Sequence, residues 1–147
     1  MIGQRVGHYQ VLKRIGKGGM GEVYLAEDTS LDRKVALKFL VPALQMDEVA
    51  HKRFFREAKS SAALDHPYIC SVHEVSQTDE GQDFIVMEYV EGQTLRQRLD
   101  QGEISVKDTL RISLEITEAL QEAHNKGIIH RDLKPSNIML TENDMPR

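Results

Sequence analysis

The stretch His130-Arg131-Asp132-Leu133-Lys134-Pro135-Ser136-Asn137 brings a carboxylate, two cations and an amide together in one short loop. A carboxylate such as Asp132 can accept the proton of a hydroxyl group, and an ammonium such as Lys134 can neutralise charge on a moving phosphoryl group. The side-chain oxygen of Asn137 is a suitable ligand for Mg²⁺. Because the same residue types also form ordinary surface turns, other motifs must decide between a catalytic loop and a turn.

A glycine-rich segment near the N-terminus, Gly16-Lys17-Gly18-Gly19-Met20-Gly21-Glu22-Val23, has the spacing of loops that let the backbone approach phosphate groups. Residues 22–26 are rich in strand formers, with Val23 and Leu25 on one face. A dinucleotide-binding turn would open a helix, and the Gly-Lys-Ser/Thr of a Walker loop does not occur at the required offset. The pattern therefore predicts the bend of a β-hairpin, although glycines at this spacing also occur in flexible turns.

Alternating apolar residues around Val35-Ala36-Leu37-Lys38 predict a strand. A lone lysine on a strand is usually a solvated charge, but Lys38 has apolar neighbours, and a buried cation needs a partner. Residues 47–64 are predicted to form a helix with Phe54 on its apolar stripe. Glu57 lies at the edge of that stripe and is the candidate partner of Lys38.

Two further strands and two further helices are predicted after this helix. The strands lie at 68–77 and 83–89, and the polar residues between them predict a turn. The helices lie at 94–101 and 105–126, with Thr94 and Ser105 as N-caps and glycines as terminators.

These motifs, in this order, resemble the catalytic domain of eukaryotic-like protein kinases. The octapeptide at 130–137 matches H-R-D-L-x-x-x-N, the segment at 16–23 matches G-x-G-x-x-G-x-V, and the strand at 35–38 matches V-A-I-K with one mild substitution. Lys134 is typical of the serine/threonine branch, and the sequences of the glycine-rich segment at 18–24 and of the strand at 33–38 are similar to those of bacterial members. The resemblance covers about residues 6–140, nearly the whole chain.

The resemblance implies an α+β, protein-kinase-like fold. We expect a five-stranded antiparallel N-lobe with one helix, followed by the first helices of an incomplete helical C-lobe. The N-lobe is placed at about 6–87, the hinge at 88–92 and the C-lobe at 93–147, so residues 1–147 form part of one kinase domain.

The resemblance also implies roles for individual residues. Asp132 is expected to position or deprotonate a hydroxyl, Lys134 to steady the γ-phosphoryl group of ATP, and Asn137 to bind Mg²⁺. Lys38, paired with Glu57, is expected to contact the α- and β-phosphates. The residues expected to cover the phosphates or hold the adenine are Ile15, Gly16, Lys17, Gly18, Gly19, Met20, Gly21, Glu22, Val23, Ala36, Met87, Glu88, Val90 and Met139. Taken singly, the apolar members of this set are more often core residues than ligand contacts.

The implied reaction is transfer of the γ-phosphoryl group of ATP to Ser or Thr hydroxyls of protein substrates, with ATP and Mg²⁺ as cofactors. No Asp-Phe-Gly follows Asn137, so a metal-binding carboxylate and the activation segment of the family are missing. We therefore expect the chain to be inactive alone. Two alternatives are an ATP-binding regulatory or pseudokinase-like module, and a half-kinase completed in trans. The C-lobe surface around the helix at 105–126 is expected to be exposed and to promote association.

The composition excludes several other classes of protein. A hydrophobic fraction of 40%, a charged fraction of 29% and a net charge of −4 are ordinary for a globular protein and argue against general nucleic-acid binding. The sequence predicts neither a signal peptide nor a membrane segment, and its one cysteine, Cys70, cannot form an internal disulfide. We therefore expect a cytoplasmic location.

Overall fold

The computed structural model describes residues 1–18, 21–142 and Pro146. The chain divides into two compact units. The first comprises Met1–Ala63 and Ser71–Tyr89, and the second comprises Leu64–Cys70 and Val90–Arg147. Residues 64–70, which the sequence predicts as part of the N-lobe, therefore group with the second unit.

The first unit is an antiparallel sheet with two helices. Its strands are β1 (Arg5–Val6), β2 (Tyr9–Lys17), β3 (Gly21–Asp28), β4 (Arg33–Leu40), β5 (Val72–Gln77) and β6 (Asp83–Glu88), and its helices are α1 (Pro42–Gln45) and α2 (Glu48–Ala62). The strand order is β1-β2-β3-β4-β6-β5. The sheet has six strands rather than the predicted five, because Arg5 and Val6 pair back onto β2 across a turn in which Gly7 has a φ of 57°.

Both faces of this sheet carry apolar clusters. On one face, Tyr24 lies edge-on to Phe39 at a centroid distance of 5.7 Å, and Phe39 stacks on Phe84 at 5.3 Å. On the other face, Phe54 and Ala58 of α2 are buried in a cluster with residues of β4 and β6. Because alternate residues of a strand point to opposite faces, one strand serves both clusters.

Helix α2 confirms the predicted helix at 47–64 with slightly different ends. The side chain of Asp47 accepts hydrogen bonds from the backbone N–H groups of Val49 and Ala50, which caps the N-terminus. The helix ends at Ala62, two residues earlier than predicted, and Leu64 already belongs to the second unit.

A buried carboxylate connects both helices of the first unit to the sheet. Asp83 is fully buried at the start of β6 and accepts hydrogen bonds from Gln45 Nε2 at 2.8 Å and from Gln77 Nε2 at 2.6 Å. His51 Nε2 of α2 also contacts this carboxylate. A buried charge of this kind requires such partners, and neither helix α1 nor this cluster was predicted from the sequence.

The second unit contains two main helices and a two-stranded sheet. Its elements are β7 (Gly92–Thr94), α3 (Leu95–Asp100), α4 (Val106–Asn125), a 3₁₀ turn (Pro135–Asn137) and β8 (Met139–Thr141). Thr94 forms a capping box with Gln97, and the Ser105 side chain accepts a hydrogen bond from the N–H of Asp108, so both predicted N-caps are confirmed. Within the described part of the chain, no helix is both long and apolar enough to cross a membrane.

The segment Leu64–Cys70 is attached to α4 through Tyr68. Burial, together with the nearby carboxylates of Glu115 and Glu118, raises the pKa of the Tyr68 hydroxyl group. The strand predicted to begin at residue 68 therefore begins only at Val72, because the preceding residues pack with the second unit.

The aromatic cluster predicts a large effect of Phe39→Ala on stability. Removing this buried ring should lower the free energy of unfolding by about 3–5 kcal/mol, because the surrounding sheet cannot collapse around the cavity. Urea unfolding followed by circular dichroism measures the change. The control Leu31→Ala alters an exposed side chain and should shift stability by no more than about 0.5 kcal/mol. Equal effects of the two substitutions would contradict the proposed packing.

Gly21 allows close packing of β3 on β4. A Cβ at this position would collide with the carbonyl oxygen of Phe39, whereas a Cβ at Gly16 would meet Val23 at an ordinary 3.8 Å. Gly21→Ala should therefore lower the free energy of unfolding by about 1–3 kcal/mol through overpacking. Gly16→Ala, the matched control, should change it much less in the same urea titration. A smaller loss in Gly21→Ala than in Gly16→Ala would show that this contact does not constrain the sheet.

Candidate active site

The strand register places four of the predicted nucleotide residues of the first unit on one sheet face. Directly paired residues of antiparallel strands point to the same face. Gly16 pairs with Val23, Val23 with Lys38, and Ala36 with Met87, while Ala36 and Lys38 lie two apart on β4. Val23, Ala36, Lys38 and Met87 therefore share the face on which α2 packs.

The glycine-rich segment is confirmed as the bend of a β-hairpin between β2 and β3. The N–H of Gly18 donates a hydrogen bond to the carbonyl oxygen of Gly21 at 2.8 Å and closes the bend. Ile15, at the end of β2, is exposed. Two predicted members of this loop, Gly19 and Met20, lie outside the described residues.

The structure does not bring Lys38 and Glu57 together. Lys38 is half-buried on β4, and Glu57 is exposed on α2 although it lies one turn from the buried Phe54. Among the residues that the structure describes, no ion pair joins the two. Their pairing therefore stays a prediction.

The predicted hinge begins at the end of β6. The backbone N–H of Glu88 donates to the carbonyl oxygen of Ser71 at 2.8 Å, and its carboxylate accepts from the Ser71 N–H at 3.2 Å. Val90, the first hinge residue of the second unit, is buried. These contacts hold the Glu88 backbone, whose carbonyl group is predicted to bind adenine.

The three predicted catalytic residues lie in direct contact in the second unit. Asn137 Nδ2 donates to Asp132 Oδ2 at 3.0 Å and to the Asp132 backbone carbonyl at 2.8 Å. Lys134 Nζ lies 3.5 Å from Asp132 Oδ1. Both charged side chains are accessible, with 67% of Asp132 and 54% of Lys134 exposed. The arrangement presents an oriented carboxylate, next to a cation, to molecules arriving from solvent.

Backbone geometry gives this loop a fixed shape. Arg131 has a φ of 67°, a left-handed conformation that is uncommon for residues other than glycine. The N–H of Asp132 donates to His130 Nδ1 at 3.2 Å. Strained backbone of this kind is often found at functional sites, and the sequence contained no signal of it because Arg131 has no special backbone preference.

The paired strands β7 and β8 hold the far end of the loop. Thr94 pairs with Met139, and the N–H of Leu95 donates to the carbonyl oxygen of Ile138 at 2.8 Å. Leu140 is fully buried, so the strand that follows Asn137 is anchored. Met139 itself is half-buried, which suits its predicted position beside an apolar ring.

The oxygen atoms of this loop fit a hard cation such as Mg²⁺ shared with phosphate groups. Asn137 uses its amide nitrogen to hold Asp132, and its amide oxygen is a suitable Mg²⁺ ligand. Among the described residues, no group of three or more His, Cys, Asp or Glu side chains is placed to hold a metal ion.

Comparison with known proteins identifies relatives over nearly the whole chain. The protein kinase domain matches residues 9–147. The chain is 46% identical over 142 residues to serine/threonine-protein kinase PrkC of Bacillus subtilis (strain 168), covering 95% of this chain and 22% of that protein. It is 40% identical over 144 residues to serine/threonine-protein kinase PknD of Mycobacterium tuberculosis (strain ATCC 25618 / H37Rv), covering 97% of this chain and 22% of that protein.

A solved structure shows the same fold. The crystal structure of the kinase domain of Mycobacterium tuberculosis PknI superposes with a TM-score of 0.84 at 35% identity, covering 99% of this chain and 59% of that one. The chain thus spans about a fifth of these curated relatives and about three fifths of a solved kinase domain. The predicted protein-kinase-like α+β fold is confirmed, and the chain belongs to the protein kinase domain family, in which it resembles the bacterial serine/threonine-protein kinases and contains the N-terminal part of the domain.

Proposed function

We propose that this chain supplies the ATP-binding and hydroxyl-activating residues of a serine/threonine protein kinase. The reaction is transfer of the γ-phosphoryl group of ATP to Ser or Thr hydroxyls of a protein substrate. The observation that carries this proposal is the contact of Asp132 with Asn137 and Lys134. A carboxylate held by an amide beside an ammonium group suits proton acceptance next to a phosphoryl group.

Asp132 would accept the hydrogen bond of the substrate hydroxyl and take up its proton as the oxygen attacks phosphorus. The hydrogen bond from Asn137 Nδ2 restricts rotation of the carboxylate, so that Oδ1 keeps its direction. Lys134 lies on the Oδ1 side, where its charge would stabilise the equatorial oxygens of the phosphoryl group. Positioning and charge stabilisation are the main contributions of protein residues to phosphoryl transfer.

ATP and Mg²⁺ supply the phosphoryl group and neutralise its charge when they are bound. We propose that the loop at 16–21 covers the phosphates, that Lys38 contacts the α- and β-phosphates, and that the amide oxygen of Asn137 binds Mg²⁺. The residues proposed to hold the adenine are Ile15, Val23, Ala36, Met87, Glu88, Val90 and Met139. The shared face of Val23, Ala36, Lys38 and Met87 supports this assignment.

We further propose that the chain does not catalyse the transfer alone. The sequence contains no Asp-Phe-Gly, so a carboxylate that would share Mg²⁺ with the phosphates must come from elsewhere. Removal of one charge-stabilising group from such a site costs about 3–4 kcal/mol of barrier. A half-kinase completed in trans and an ATP-binding regulatory module are the alternatives. A cytoplasmic location remains a prediction.

Nucleotide binding is tested by the thermal stability of the purified chain. Saturating Mg-ATP should raise the melting temperature of the wild type, because a ligand that binds only the folded state stabilises it. Lys38→Met should reduce this shift, whereas Lys34→Met, on the same strand but exposed, should preserve it. Absence of a shift in the wild type, at nucleotide concentrations up to several millimolar, would contradict the binding proposal.

Phosphoryl transfer is tested with radiolabelled ATP and a generic protein substrate that contains Ser and Thr. No incorporation is expected with the chain alone. Incorporation is expected when the chain is mixed with the C-terminal segment of a related kinase domain, and it should be lost in Asp132→Asn. Incorporation by the chain alone would contradict the proposed inactivity, and Mg-ATP binding without transfer in any mixture would favour the regulatory module.

An exposed apolar stripe on α4 supports association of the chain with another protein surface. Val106, Leu110 and Leu114 follow one another at intervals of four residues and are 77%, 66% and 61% exposed. The opposite side of the helix contains the buried residues Ile112 and Ala119. An uncovered stripe of this length on a helix is a common interaction site.

The double substitution of Leu110→Glu with Leu114→Glu should reduce association of the chain. The new carboxylates would remain hydrated and oppose burial of the stripe. Sedimentation velocity at increasing protein concentration measures the distribution of species, with Leu31→Glu in the first unit as the control. A wild-type chain that stays monomeric throughout the range would contradict the prediction.

A further inference from the structure

We infer that Arg14, Glu22 and Tyr24 form a brace that positions the glycine-rich loop for the phosphate groups of the nucleotide. The inference rests on the proposed function, since it concerns the same loop. It assigns a role to three side chains at the base of the loop, two of which were absent from the predicted site. We call these three residues the loop brace.

The brace joins the two strands that carry the loop. The hydroxyl group of Tyr24 donates to Glu22 Oε2 at 2.7 Å, and Arg14 Nη1 lies 3.6 Å from Glu22 Oε1. Both oxygens of one carboxylate are therefore engaged, one by β3 and one by β2. Arg14 pairs directly with Tyr24 in the strand register, so the three side chains meet on one face of the hairpin.

The brace lies at an irregularity in the pairing of the two hairpin strands. The register of β2 against β3 shifts between Arg14 and Gly16, and Lys17 opposite Glu22 is the last pair before the bend. A bulge interrupts the regular hydrogen bonds of a ladder and increases local twist. Side chains that connect the strands across this interruption limit the twist and therefore the direction in which the loop leaves the sheet.

Tyr24 connects the brace to the rigid core. Only 7% of this residue is exposed, and its ring contacts Phe39 of the aromatic cluster. A ring held in that way fixes the position of its hydroxyl group, which in turn fixes the carboxylate of Glu22. The stiffness of the core is thereby extended to the residue directly after Gly21.

The brace acts through the backbone and not by touching the nucleotide. Glu22 and Tyr24 alternate with Val23 along β3, so they point to the face opposite the one that Val23 shares with Lys38. The sequence predicts Glu22 among the residues that cover the phosphates. Its side chain is directed at Tyr24 and Arg14 instead, so the geometry makes it a positioning residue.

The charges around Glu22 keep the brace closed at neutral pH. The hydrogen bond from Tyr24 and the charges of Arg14 and Lys17 hold the pKa of Glu22 below its usual range. The same hydrogen bond raises the pKa of Tyr24. Since the carboxylate is ionised and the phenol is protonated, donor and acceptor stay matched over the physiological range.

The decisive experiment compares Mg-ATP with adenosine in Tyr24→Phe. The substitution removes the hydroxyl group and keeps the ring in the core. The Kd for Mg-ATP should rise about three- to tenfold, as expected for loss of one hydrogen bond that orients the loop. The Kd for adenosine should not change, because adenosine has no phosphates for the loop to cover. Arg14→Ala should behave in the same way.

The control is Arg96→Ala, which breaks the Arg96–Asp100 ion pair of α3 and should alter neither affinity. Equal weakening of Mg-ATP and adenosine would show a general structural role and overturn the inference, as would unchanged Mg-ATP binding in Tyr24→Phe. A second readout needs no nucleotide: amide hydrogen exchange at residues 16–22 should be faster in Tyr24→Phe than in the control. Unchanged exchange in Tyr24→Phe would overturn the brace itself. If exchange is faster in Tyr24→Phe but the wild-type chain binds no nucleotide, only the proposed function is refuted.

Discussion

The antiparallel register of β3, β4 and β6 is the constraint on which the first unit depends. It places Val23 opposite Lys38 and Ala36 opposite Met87, and the alternation of side chains then sorts every residue of these strands into two sets. One set forms the aromatic cluster around Phe39, and the other faces α2. A shift by one residue would exchange the two sets, which would expose the apolar core and remove Lys38 from its face. Gly21 contributes to this register because only a residue without a Cβ fits against the Phe39 carbonyl group.

In the second unit, the residues that must be positioned are polar and lie in an exposed loop. Hydrophobic burial cannot position Asp132 or Lys134, since both are largely exposed. Their positions depend instead on short polar contacts, on the left-handed backbone at Arg131 and on the buried Leu140 that follows. The loop between α4 and β8 is therefore held in shape mainly by its own hydrogen bonds. Its accessible carboxylate agrees with the role proposed for Asp132.

The features that the sequence predicted correctly depend on residues close together in the chain, and the features it missed depend on residues far apart. The caps at Thr94 and Ser105 were predicted because a capping side chain acts within three residues of itself. The hairpin around Gly18 was recognised for a similar reason. Contacts between distant residues were not predicted. The partners of Asp83 come from α1, α2 and β5, and no local sequence pattern indicates them. The proximity of Tyr68 to the Glu115 carboxylate is equally nonlocal.

The sequence alone determined the family and the longer strands and helices, and it predicted the residues of the catalytic loop, because these depend on patterns whose members lie close together along the chain. Strand β1 and helix α1 were not predicted. Tertiary structure decided which side chains meet. It brought Asn137 onto the Asp132 carboxylate, left Glu57 exposed and apart from Lys38, and directed Glu22 toward Tyr24 and Arg14. Periodicity places Glu57 within one turn of a buried residue, but the rotation of α2 about its axis is set by the packing of Phe54 and Ala58 against the sheet. That rotation is a property of the packed core, and a helical pattern does not specify it.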